Sequence, residues 1–126
     1  MKPETPKDLP AAVWNILQFH YGELNRITKA EIAIQIFDES VCFTDKGKLN
    51  DTIDRQIRDA VAGLVTNKYY PIVSTSDGAG FFVAKDIAEA SHAIAELDSR
   101  IGALAARKKG IITGLTGANV AQPSFF

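Results

Sequence analysis

Hydrophobic and polar positions follow two rhythms along this chain. Val13, Trp14, Leu17 and Tyr21 recur at helical spacing behind Pro10, up to Gly22. Proline suits the first position of a helix, where its missing N–H is not needed. A second helix is predicted over "TKAEIAIQIFD", where Ile32, Ala33, Ile36 and Phe37 form one stripe. Thr28 and Glu31 are spaced as a capping box at its start. A third helix runs from Asp51 to Lys68: Ile53, Ile57, Val61 and Leu64 fall at i, i+4, i+8 and i+11, with Ala60 beside them. Asn50 or Asp51 is its expected cap. The period then changes to two. "PIVST" and "FFVAK" flank Asp77-Gly78-Ala79-Gly80, which predicts a hairpin. Asp86 and Glu89 are spaced as a second capping box, opening a fourth helix through Lys109. Three helices, two strands and one helix make an α+β protein, mainly α.

The remaining segments give the organisation. Residues 1–9, rich in proline, read as a flexible arm, and residues 10–86 as one domain. Residues 87–109 are a separate long helix. Residues 110–126 carry no charge and read as a tail. Between the second and third helices, residues 39–50 contain Asp45-Lys46-Gly47-Lys48 and read as a turn-like, solvated linker.

Composition narrows the function classes. The chain has 126 residues, 46% hydrophobic and 23% charged, as an ordinary globular domain does. No apolar run reaches the roughly 20 residues of a membrane helix, and the opening "MKPETPKDLP" has no apolar leader. Cys42 is the only cysteine, so no internal disulfide forms. A cytoplasmic protein without membrane attachment is expected. The net charge of −1 argues against a protein that coats nucleic acid non-specifically. The distribution differs from the sum: residues 46–68 carry five basic and three acidic side chains, net +2. No catalysis, cofactor or metal is expected, because His20 and His92 lie on different predicted helices. With one cysteine they give no ligand spacing.

The stretch "TIDRQIRDAVAGLVTNKYYPIVSTSDGAGFFVA" resembles the recognition helix and wing of small bacterial and phage winged helix-turn-helix proteins, including the DNA-binding domain of the biotin-repressor type. The pattern is Thr52-Ile53-x-Arg55-x-Ile57-Arg58-x-x-Val61-x-x-Leu64, then Pro71-Ile72, a small polar tip and an aromatic return strand. The resemblance spans about Leu9 to Asp86, with a longer linker before the third helix than such folds usually have. It implies a tripod of three helices with the hairpin as wing, and a third helix that enters the major groove of double-stranded DNA.

With Ile53, Ile57, Val61 and Leu64 facing inward, Thr52, Arg55, Gln56 and Asp59 face outward, with Asp54 and Arg58 at the edges. Arginine can read guanine, and glutamine adenine. Thr52, Arg58, Lys46 and Lys48 are placed to meet phosphates. The alternative is a solvated face laced by Asp51–Arg55 and Asp54–Arg58 pairs at i, i+4. The hairpin tip carries no Arg or Lys, and a passive wing is expected. A strand follows its glycines, which excludes a phosphate-binding loop leading into a helix.

On the fourth helix, Ile87, Ala90, Ile94, Leu97, Ile101 and Leu104 keep the alternating spacing of a heptad seam, and Lys108 and Ile111 hold the next two positions. Homodimerisation through Ile94, Leu97, Ile101 and Leu104 is expected. The tail reads either as a free end or as a docking peptide for the partner subunit or another protein, with Ile111, Ile112, Leu115, Phe125 and Phe126 as anchors. The sequence thus points to a sequence-specific, homodimeric DNA-binding regulator or replication-origin factor. The other reading is a winged-helix protein-interaction module, an adaptor or inhibitor that binds no DNA.

Overall fold

The structure is a computed structural model that describes residues 6–75 and 77–116. The outer part of the arm, Ser76 and the tail with Phe125 and Phe126 lie outside the described residues. The chain divides into two compact units, Met1–Ala90 and Ser91–Phe126.

The first unit is built on α1 (Leu9–Leu17), α2 (Lys29–Ile36), α3 (Glu39–Cys42) and α4 (Asp51–Lys68). A small antiparallel sheet joins them: β1 (Ile27–Thr28), β2 (Ile72–Ser74) and β3 (Gly80–Val83), in the order β1-β3-β2. Ile27 pairs with Phe81 on one side of β3, and Val73 with Phe82 on the other. One core holds Val13 and Leu17 of α1, Ile32 of α2, Cys42 of α3, and Ile57 and Leu64 of α4. Burying such side chains contributes about 1.5–3 kcal/mol each. Trp14 and Tyr70 close one edge of the core, with ring centroids 4.1 Å apart.

Local signals account for most boundaries. The Thr28–Glu31 capping box forms with both hydrogen bonds at 3.0 Å. Asn50 caps α4 by accepting from the N–H groups of Thr52 and Ile53. Several features differ from the sequence reading. α1 stops at Leu17, because the backbone of residues 20–22 is taken up by β3: Val83 N–H donates to His20 O, and Gly22 N–H to Val83 O. Tyr21 therefore leaves the helical stripe and is exposed. β1 is too short to show a period and exists through its partner. The linker is half core: Asp38 caps the single turn of α3, which carries Cys42 into full burial. Burial, and after it Glu39 and Asp38, push the Cys42 thiol above its usual range. At the opening of the last helix, Asp86 accepts from Glu89 N–H. The Glu89 carboxylate does not close the box on residue 86; it accepts from Lys85 N–H at 2.8 Å and Glu23 N–H at 2.9 Å.

β1 and β3 approach so closely at Gly80 that a Cβ there would press on the carbonyl of Ile27 and lie 2.9 Å from the Thr28 Cα. The hairpin tip is closed by its own side chains. The Thr75 hydroxyl donates to Asp77 and accepts from Gly80 N–H, while Asp77 also accepts from Ala79 N–H.

α5 (Ile87–Leu115) begins in the first unit and provides the described part of the second. It continues past Lys109, so residues 110–115 are helix rather than tail. Gly110 and Gly114 cost roughly 1 kcal/mol each relative to alanine. That is too little to end a helix already nucleated over many turns.

Candidate functional site

α4 is anchored through Ile53, Ile57, Ala60, Val61 and Leu64, and this fixes which residues are left outside. Thr52, Arg55 and Asp59 are exposed on the outer face, and Gln56 is half-buried beside them. These positions are three or four apart, so they line one side of the helix. The structure thus brings Thr52, Arg55, Gln56 and Arg58 together on consecutive turns.

The charges on this face are not equivalent. Asp54 sits at the edge, where Lys29 from α2 reaches it at 2.8 Å and Arg58 at 3.0 Å. Burial alone would raise the Asp54 carboxyl. The hydrogen bond and charge of Lys29, then those of Arg58, outweigh it and hold the carboxyl below the usual carboxylate range. Of the two ion pairs weighed from sequence, Asp54–Arg58 forms and Asp51–Arg55 does not. Arg55 makes no ion pair or side-chain hydrogen bond among the described residues. Its guanidinium is therefore exposed and unspent, while the nearby aspartate is already neutralised twice.

Lys46 and Lys48 lie in a tight turn ahead of α4. Phe43 and Leu49 form an antiparallel bridge, Thr44 N–H donates to Lys48 O at 2.7 Å, and Gly47 N–H to Thr44 O at 2.9 Å. Gly47 occupies the left-handed region that this turn requires, at φ 78°. Both lysines are exposed, and neither side chain is paired among the described residues. The linker therefore holds two cations on an ordered turn two to four residues before the N-cap of the outward-facing helix.

The tip of the β2–β3 hairpin presents Asp77. Its hydrogen bond from the Thr75 hydroxyl, and next that from Ala79 N–H, hold its carboxyl below the usual range. Lys29 is the residue that sequence reasoning missed. No local pattern flags it, because its partner is 25 positions away and they meet only when α2 packs on α4.

On α5, Ile94, Leu97, Ile101 and Leu104 are all exposed, from 42% at Ile94 to 64% at Ile101. Ile111 and Leu115, now part of the helix, are exposed in the same spacing. His92 Nε2 and the Glu96 carboxylate, 3.1 Å apart on the same helix, lie off that seam. Among the described residues, no group of three His, Cys, Asp or Glu is placed to hold a metal. No helix among them is long and apolar enough to cross a membrane. Comparison with protein-family models, with curated proteins and with solved structures finds no match to this chain.

Proposed function

We propose that the first unit is a winged helix domain that binds duplex DNA through α4, and that the chain acts as a homodimer in transcriptional regulation or at a replication origin. The supporting features are the packing of α1, α2 and α4 around one core and the antiparallel hairpin that follows α4 directly. One observation carries the DNA reading: Arg55 is exposed and unpaired on a face where Lys29 and Arg58 have already neutralised Asp54. An arginine so placed reads guanine through two donors. Gln56 stands beside it to read adenine, and Thr52, Arg58, Lys46 and Lys48 position the backbone. The hairpin is a passive wing, since its acidic tip is locked by its own hydrogen bonds. With so few phosphate contacts, non-specific affinity is low and binding depends on base sequence.

The test is selection of bound fragments from random duplexes, followed by Arg55→Ala on the winning sequence. The expected loss is about 1–3 kcal/mol with relaxed preference at one base pair, and unchanged thermal stability. Lys46→Ala with Lys48→Ala weakens binding to all sequences alike and lowers the salt slope by about 2. Selection that enriches nothing overturns the reading. A second reading then stands, that of a protein-interaction module which binds no DNA; the observation in its favour is that Asp51 and Asp59 are exposed on the same helix.

A further inference from the structure

The seam of α5 specifies more than a partner. Assigning Ile94 to heptad position a places Ile101 and Lys108 at a, and Leu97 and Leu104 at d. Isoleucine at a with leucine at d is the combination that favours two parallel strands, because each side chain then points into its hole in an allowed rotamer. Lys108 is a single polar residue at an a position, the kind that fixes register and strand number at some cost in stability. Its long aliphatic stem covers the seam while its ammonium reaches solvent.

The flanks give the same orientation. Arg100 and Arg107 hold successive g positions, and Asp98, Ala105 and Ile112 hold e positions. In a parallel pair g faces the e of the next heptad, so Arg100 meets Ala105 and Arg107 meets Ile112; the like charges brought together in register are the two Lys108 ammoniums at a, which their long stems carry apart into solvent. In an antiparallel pair g faces g. The registers that overlap the helices fully then oppose Arg100 or Arg107 to another arginine, which is unfavourable. The occupant must also be long. α5 has 29 residues, about 44 Å, whereas the next longest helix described, α4, has 18 and already buries its stripe in the core.

We infer that α5 pairs in parallel and in register with α5 of a second copy, with Lys108 as the register-setting position. This rests on the homodimer reading above and adds its geometry. Both DNA-binding units then precede the same end of the paired helices, as a two-fold related pair suited to an inverted-repeat site.

The experiment uses the full chain with single cysteines, Ile94→Cys at a and Ile111→Cys at d, under mild oxidation. Cys42 is fully buried and gives little background. Sedimentation reads the oligomeric state, and the outward-facing Ser99→Cys serves as control. In the parallel arrangement both seam variants cross-link to themselves in high yield, and Ser99→Cys does not. A dimer in which only a mixture of the two variants cross-links, 94 to 111, as antiparallel pairing of a with d requires, overturns the parallel arrangement and leaves the homodimer standing. A chain that is monomeric at every concentration overturns both. Lys108→Leu extends the seam and tightens the dimer by about tenfold or more; unchanged association removes Lys108 from the interface. Circular dichroism on each variant separates a lost interface from a lost fold.

Discussion

α4 and α5 both carry apolar side chains three and four residues apart, yet Ile57 on α4 is fully buried and Ile101 on α5 is 64% exposed. The spacing differs in a small way that accounts for this. On α4 the apolar positions broaden into a face that includes Ala60 beside Val61, wide enough to be crossed by α1 and α2. On α5 they stay a narrow seam over four heptads, which no short crossing helix follows. A helix can thus announce from its stripe whether it completes a local core or awaits a partner of its own length.

The largest expected contrast is between two glycines. Gly80→Val forces a side chain into the backbone of β1 and destabilises the first unit by roughly 4 kcal/mol or more, as severe core changes do. Thermal unfolding measures it, and a loss below 1 kcal/mol breaks the assigned β1–β3 contact. Truncating the two stripes comes next. Ile57→Ala costs about 2–5 kcal/mol in unfolding free energy at any concentration. Leu97→Ala leaves the first unit's melting unchanged and acts on association alone, so its effect varies with protein concentration. Equal, concentration-independent losses would erase the distinction between the helices.

Gly102→Ala is smaller and opposite in sign to Gly80→Val. A Cβ at Gly102 meets nothing within 4 Å, so alanine raises α5 helicity and stability by up to about 1 kcal/mol. A loss of helicity by circular dichroism would show that this position is crowded in the dimer. Acid gives the smallest effect. The Asp54 carboxyl titrates below its unfolded value, so its contribution is fully present above the ordinary carboxylate range and fades as pH falls through the lowered folded value. Asp54→Asn removes this pH dependence at a cost of about 1 kcal/mol or less. Glu31 follows the same sign, held down first by Thr28 N–H and then by the Thr28 hydroxyl. The seam of α5 carries no carboxylate, so acid leaves its packing untouched.

Much of the site was legible in sequence for the same reason that α4 was. Once Ile53, Ile57, Val61 and Leu64 claim the inside, helical geometry leaves Thr52, Arg55 and Asp59 outside. The capping residues Thr28 and Asn50 act on their own next turn, so their roles are written locally. The end of α5 was misread because Gly110 and Gly114 look like punctuation, whereas the heptad positions running through Lys108 and Ile111 were the better guide.

By itself the sequence determined the four longer helices, the hairpin and the buried stripe of α4, because these depend on residues within a few positions of one another. Only tertiary structure decided three things. It formed β1, two residues that become a strand by pairing with β3. It folded half of the linker into the core through Cys42. It settled the ion pairs on α4, giving Asp54 to Lys29 and leaving Arg55 open. Each joins residues far apart in the chain, and no local period or cap records a contact that exists only after packing.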